Sequence, residues 1–228
     1  MGDELAPARH IPIHDTETTT MPLNAIIDLS HFQDVTSWAD VKADGIEGVI
    51  NKCTQGTGFV DPTYAERQSA AKAAGLLWGA YHFGEGGDGT QQAQFFLQHA
   101  TPAAGDLLVL DFEQNTQGAS MTLAEAEQFV SYLQGQTGRW PVLYGGSYLI
   151  EQLNGAPNAT LSSCPLWIAA YDANPSLPPG WSDWTLWQYT DGQHGNEPYS
   201  VNGVGTCDRD QFSGDLAQLQ QFWSESGK

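Results

Sequence analysis

The chain has 228 residues, 40% of them hydrophobic and 11% aromatic, which is enough for a buried core and too apolar for a disordered polymer. Eight basic side chains against 27 acidic ones give a formal net charge of −19, a sign that repels nucleic-acid phosphates and anionic bilayers. No run approaches the ~20 apolar residues of a membrane span.

Residues 1–23 hold Pro7, Pro12, Pro22 and a threonine run at 18–20 with no periodicity, and read as an extended tail. The first ten residues lack the basic stretch and apolar run of a secretory leader, so the export route is open. A single domain is expected over 24–228. Short apolar segments recur from Ala25–Leu29, followed by a short helix over Ser37–Lys42 and a strand at Gly48–Lys52. Asp61, Pro62 and Gly75 bracket a helix as N-cap, first helical residue and terminator. A strand at Leu76–His82 leads into the glycine-rich segment 84–89, which lacks the Lys-Ser/Thr of a phosphate loop and reads as a flexible loop.

Next come a helix at Gln91–Ala100, a strand at Leu107–Glu113, and a capping box, Thr122 with Glu125, opening a helix through Leu133. The strand Pro141–Tyr144 and the helix Gly146–Leu153 complete five strand–helix pairs. Strands at Leu166–Tyr171, Trp184–Tyr189 and Gly205–Asp208 follow with loops only, and a helix at Asp215–Ser224 closes the chain. Several strands are continuously apolar, as parallel strands covered on both faces are. The pattern predicts an α/β chain in one domain, a TIM-like barrel with an incomplete outer ring of helices. A doubly wound sheet is the alternative, weakened by the missing phosphate loop. Cys53, Cys164 and Cys207 show no metal-ligand or paired spacing and are expected as buried free thiols.

In such barrels the chemistry sits at the C-terminal strand ends. Those ends carry Asp28, Lys52, Tyr81, Asp111, Glu113, Tyr144, Tyr171, Asp172, Gln188, Tyr189 and Asp208. Asp111 and Glu113 are two apart, so on a strand they face the same way with Cα atoms ~6.6 Å apart. In a partly desolvated mouth one carboxyl keeps its proton and the other ionises. That pair can protonate a departing glycosidic oxygen and stabilise the cation-like sugar. Glu113, the longer arm, is the expected donor and Asp111 the charged partner. A fortuitous acidic patch and a calcium or magnesium site are the competing readings. A calcium-loop motif is missing, and Tyr81, Tyr144, Tyr171, Trp187 and Tyr189 suit sugar faces better than a hydrated ion. His82, Trp78, Trp140 and Trp167 read as core.

The ordered segments Ile27–Gln33, Val49–Gly56 with Phe59–Pro62, Ala74–Phe83, Leu110–Glu113, Leu166–Tyr171 and Trp187–Tyr189 resemble the muramidases of glycoside hydrolase family 25. The resemblance spans Ile26 to Phe222 and implies a modified (β/α)5(β)3 barrel. It implies cleavage, with net retention, of the β-1,4 bond between N-acetylmuramic acid and N-acetylglucosamine in peptidoglycan. By motif match it makes Glu113 the general acid/base, Asp111 its partner carboxylate, and Asp28 and Asp208 supporting acids. Lys52, Tyr81, Tyr144 and Gln188 match cleft positions, and Tyr171 and Trp187 are expected to join them in substrate binding. No metal or other cofactor is implied. The expected partner is a glycan strand met outside the cell, in the wall or in the periplasm, by a monomer. Two departures stand out: Cys207-Asp-Arg-Asp210 replaces the usual Val-Asp-x-Asn, and Phe32 stands where Trp is frequent. A glycan-binding module without turnover and a chitin-cleaving glycosidase on the same barrel are the alternatives.

Overall fold

A computed structural model describes residues 21–225. The expected tail at 1–23 lies almost wholly outside the described residues, and the first strand already begins at Leu23. Eight strands form the barrel, and in chain order they start with β1 (Leu23–Leu29) and β2 (Gly48–Gln55). A two-residue strand, β3 (Phe59–Val60), folds back on the end of β2. The barrel continues through β4 (Leu77–Phe83), β5 (Leu107–Asp111), β6 (Val142–Gly145), β7 (Leu166–Ala169) and β8 (Leu186–Thr190). A separate hairpin pairs β9 (Ser200–Val201) with β10 (Gly205–Thr206), and β11 (Asp208–Phe212) is the last barrel strand. β1 pairs with both β2 and β11, which closes the sheet.

Helices α1 (Trp38–Ala43), α2 (Tyr64–Ala73), α3 (Gly89–Ala100), α4 (Leu123–Thr137) and α5 (Ser147–Leu153) follow β1, β2 with its β3 appendage, β4, β5 and β6. No α-helix separates β7, β8 and β11, so the architecture is the predicted (β/α)5(β)3 barrel. No described helix is long and apolar enough to cross a membrane.

Alternation along the strands sorts the apolar side chains into two layers. Ile26, Ile50, Val109, Val142, Trp167, Leu186 and Phe212 pack together inside the barrel. Their neighbours Ile27, Val49, Leu108, Leu110, Leu143 and Ile168 pack against the helices. This double burial explains the continuous apolar runs. The closing helix, α6 (Leu216–Glu225), adds Leu219 and Trp223 to the inner layer, and the Trp223 indole N–H donates to the carbonyl of Trp78 at 2.8 Å. Trp223 thus stops one end of the barrel, and truncating it to Ala should cost about 3–5 kcal/mol.

Local signals held with specific exceptions. Thr122 and Glu125 form the expected capping box, but α4 runs to Thr137 and stops at Gly138, whose φ of 79° suits glycine. Asp61 does not cap α2 as its N-cap. The helix starts at Tyr64, and the Asp61 carboxylate accepts from the backbone N–H groups of Thr63 and His31. Gly84, Gly86 and Gly89 serve close packing: a Cβ on Gly89 would fall 2.0 Å from the Glu125 carbonyl oxygen. All three cysteines are buried and free.

Candidate active site

The eighth strand corrects the sequence reading. Gly205–Thr206 belongs to the hairpin, and Asp208 opens β11 rather than ending a strand. β11 runs antiparallel to both β8 and β1. Its N-terminal end therefore lies at the mouth, where the seven parallel strands present their C-terminal ends. Asp28 and Asp208 face each other as register partners there.

Asp28 is 6% exposed. Gln188 Nε2 donates to its Oδ2 at 2.7 Å. The Gln188 Oε1 is fixed in turn by hydroxyl donors from Tyr144 and Tyr171, each at 2.9 Å. Burial pushes the Asp28 carboxyl well above the usual range, the charges of Asp208 and Asp210 push it further, and the Gln188 bond opposes them. Asp208 is pushed up to about 6 by burial and by the charge of Asp191, against a hydrogen bond with Asp28.

Asp111 ends β5 and is 7% exposed, and its Oδ1 has no hydrogen-bond partner among the described residues. Burial and then the Glu113 charge push it well above the usual carboxylate range. Glu113 lies two residues beyond the strand, half-buried, and burial raises it too. The Lys52 charge opposes both shifts. Lys52 is turned inward at a β-bulge around Cys53, where Lys52 pairs with Tyr81 but Thr54 pairs with His82. Its Nζ donates to Gln55 Oε1 at 2.6 Å and lies 4.8 Å from the centre of the Phe83 ring. With so many acids and one nearby lysine, the set ionises less readily than free carboxylates do.

These four acids open into one cavity of about 220 Å³, together with Tyr81, Tyr144, Tyr171 and Gln188. A wider groove of about 750 Å³ adjoins it and shares Glu113, Tyr144 and Tyr171. Lys52 stands beside the cavity without lining it. Trp187 is misplaced by the sequence reading. On β8 it alternates with Gln188, so it points away from the barrel interior, 8% exposed in the outer layer, donating to the Ala170 carbonyl at 2.7 Å. Tyr189 is on that outer face as well. His82 is core, held between Thr54 and Gln92, and burial lowers it to about 4.

Three further residues line or back the cavity without having been assigned to it from the sequence. Trp167 is core and also cavity wall, with its ring centre 4.7 Å from that of Tyr144. Asp210 lies wholly buried on β11 and accepts from the Trp167 indole at 2.8 Å. Asp191 lines the rim one residue beyond β8, where a longer reading of the strand end would have found it. Burial disfavours its charge, but hydrogen bonds from His194 and Gln193 outweigh that and hold it below the usual range.

An acid-lined cavity opening into a groove at this end of a barrel fits a class, the barrel hydrolases that cut sugar chains. Known proteins narrow the class. Residues 27–197 match the family described as Glycosyl hydrolases family 25. The chain belongs to that family and is a glycoside hydrolase. It is 30% identical over 208 residues to "Lysozyme M1" of Streptomyces globisporus, covering 85% of this chain and 69% of the relative. It is 28% identical over 195 residues to an "N,O-diacetylmuramidase" of Chalaropsis sp, covering 77% and 92%. Among solved structures, the bacterial lysozyme from Streptomyces coelicolor superposes with a TM-score of 0.78 at 29% identity, covering 91% of this chain and 99% of that one. The family GH25 lysozyme from Aspergillus fumigatus gives 0.76 at 29% identity, with 90% and 100% covered.

Proposed function

We propose that the chain is an N-acetylmuramidase. It cleaves the β-1,4 bond from N-acetylmuramic acid to N-acetylglucosamine in peptidoglycan with net retention. The observation that carries this reading is the meeting of Asp28, Asp111, Glu113 and Asp208 in one cavity that opens into a groove. The names of the relatives support the substrate. Work on such a polymer is done at the wall, outside the cytoplasmic membrane, by a single copy of the chain.

Glu113 is the general acid/base. It is the pair's half-buried member and faces both cavity and groove, so it can reach a bond threaded between them. Its proton passes to the departing glycosidic oxygen as the C1–O bond breaks. The carbonyl oxygen of the sugar's own acetamido group attacks C1 from the opposite face. Asp111 steadies that group: its free buried Oδ1 is an acceptor suited to the acetamido N–H. This expects the empty-site proton to move, because burial favours a neutral Asp111 before substrate arrives. An N–H donor and the Lys52 charge then favour its anion. Water next gives a proton to the Glu113 carboxylate and attacks C1, which reopens the acetamido ring and restores the starting configuration. Asp28 and Asp208 line the same cavity, and Asp28 holds Gln188, which in turn fixes the Tyr144 and Tyr171 hydroxyls.

Digestion of purified peptidoglycan, borohydride reduction and mass spectrometry test the reading. New ends should carry reduced muramic acid. Reduced glucosamine ends would instead mark the chitin-type or glucosaminidase specificity and overturn it.

A further inference from the structure

Phe32 is 81% exposed, yet its loop is tied down by buried side chains. Buried Arg67 donates through Nη1 to the Ser30 carbonyl at 2.7 Å and through Nη2 to the Gln33 carbonyl. Buried Asp61 accepts from the His31 backbone N–H at 2.9 Å and meets His31 Nδ1 at 3.0 Å. The Ser30 N–H donates to Gln33 Oε1 at 2.9 Å, closing the turn. The His31 ring backs the Phe32 ring with centres 4.1 Å apart. An apolar ring left in water gains nothing for folding. A rigid mount for such a ring lowers the ordering cost of binding.

The ring has a destination. Of the large apolar side chains exposed among the described residues, Phe32 and Tyr171 both line the 750 Å³ groove. That groove is continuous with the acid cavity through Glu113, Tyr144 and Tyr171. Exposed Gln114, Thr116 and Gln117 add neutral hydrogen-bonding groups. The groove's charged lining residues are Glu113 and Glu151, both acids. Neutral amides with an aromatic face match the edges and apolar face of an acetamido sugar. A peptide stem, with its free carboxylates, would meet no cation there.

We infer that Phe32 is a preorganised stacking platform for a sugar ring of the glycan strand lying in the groove. This rests on the muramidase reading and adds to it a residue that sets how long a glycan the enzyme grips. A stacking contact of this kind should be worth roughly three- to tenfold in kcat/KM.

The test uses stem-free oligomers of alternating N-acetylglucosamine and N-acetylmuramic acid of increasing length. Wild-type kcat/KM should rise with length until the groove is filled. Phe32→Ala should erase one of these increments, with an unchanged melting temperature because the ring is exposed. Phe32→Trp, which keeps an aromatic face, should retain it. Full length dependence in Phe32→Ala overturns the inference, as does equal loss in Phe32→Trp. A loss confined to stem-bearing glycans also overturns it, by assigning the platform to peptide. No cleavage of any oligomer by the wild type overturns the muramidase reading, and this inference with it.

Discussion

Asp28 and Asp208 stand 180 positions apart in the chain and directly opposite each other across the antiparallel β1–β11 ladder. Burial raises both carboxyls; the Asp208 charge raises Asp28 further, the Asp191 charge raises Asp208, and the Asp28 hydrogen bond partly offsets the rise at Asp208. Asp208 holds its proton up to about pH 6 in the folded chain, against about 3.9 for an unperturbed aspartate. The native state therefore binds the proton more tightly than the unfolded state does. That contribution to stability is fully present below about pH 4 and is lost as pH rises through about 6. Asp28 and Asp111 are pushed the same way. Asp61 and Glu125 are held below their usual range, so they weaken the fold only in stronger acid. The raised acids thus pull the melting temperature down from mild acid towards neutrality. Buried His82, lowered to about 4, opposes this fall by favouring the fold as pH rises from about 4, so the Asp208 part is the difference between the wild type and Asp208→Asn. Asp208→Asn should flatten the fall by on the order of 1–2 kcal/mol, discounted for partial exposure, or several degrees in a chain of this size. Melting temperatures of the wild type and Asp208→Asn that stay parallel from pH 4 to 7 would contradict the raised Asp208 carboxyl.

Trp187 and Tyr171 should separate cleanly. Trp187→Phe strips the donor from the Ala170 carbonyl and should cost about 1–3 kcal/mol of stability, with KM on peptidoglycan unchanged. Tyr171→Ala removes a 38% exposed ring from the cavity wall, and should raise KM several-fold with a much smaller stability loss. Chemical denaturation and initial rates on the two variants check this. An altered KM in Trp187→Phe would return that indole to the site.

Gln188 cannot flip its amide without losing three contacts, because two tyrosine hydroxyls claim its oxygen and Asp28 its nitrogen. Gln188→Leu leaves all three groups short of a partner. The expected cost is about 2 kcal/mol in stability, with a drop of roughly tenfold or more in kcat as the cavity wall loses register. Rates and unfolding curves measured together test it, and a variant with wild-type kcat would reduce Gln188 to packing.

Much of the fold was legible because two-sided burial writes itself into the chain. The runs Leu107–Leu110 and Val142–Leu143 can be continuously apolar only where helices cover one face and the barrel fills the other. The Thr122–Glu125 box was readable because its bonds are local. Chain direction was not legible. Gly205–Thr206 and Asp208–Phe212 are both short and both strand-like, and only the ladder decides which one closes the barrel. Asp208 reached the mouth through the antiparallel strand, so a rule about C-terminal ends found it for the wrong reason. Trp187 shows the limit of naming an aromatic without its register: one position along β8 exchanges cavity for outer core. Arg67, which fixes the Phe32 loop from α2, left no local signal because its partners are backbone carbonyls more than 30 positions away.

The central claim is that Glu113 gives the proton that frees the leaving sugar. The most direct measurement compares reducing-end release from purified peptidoglycan by the wild type and by Glu113→Gln, with circular-dichroism melting to show that both are folded. The account predicts a loss of at least ~100-fold at an unchanged or slightly higher melting temperature, since the amide removes a raised carboxyl. A folded Glu113→Gln enzyme working within a few-fold of the wild-type rate would contradict it.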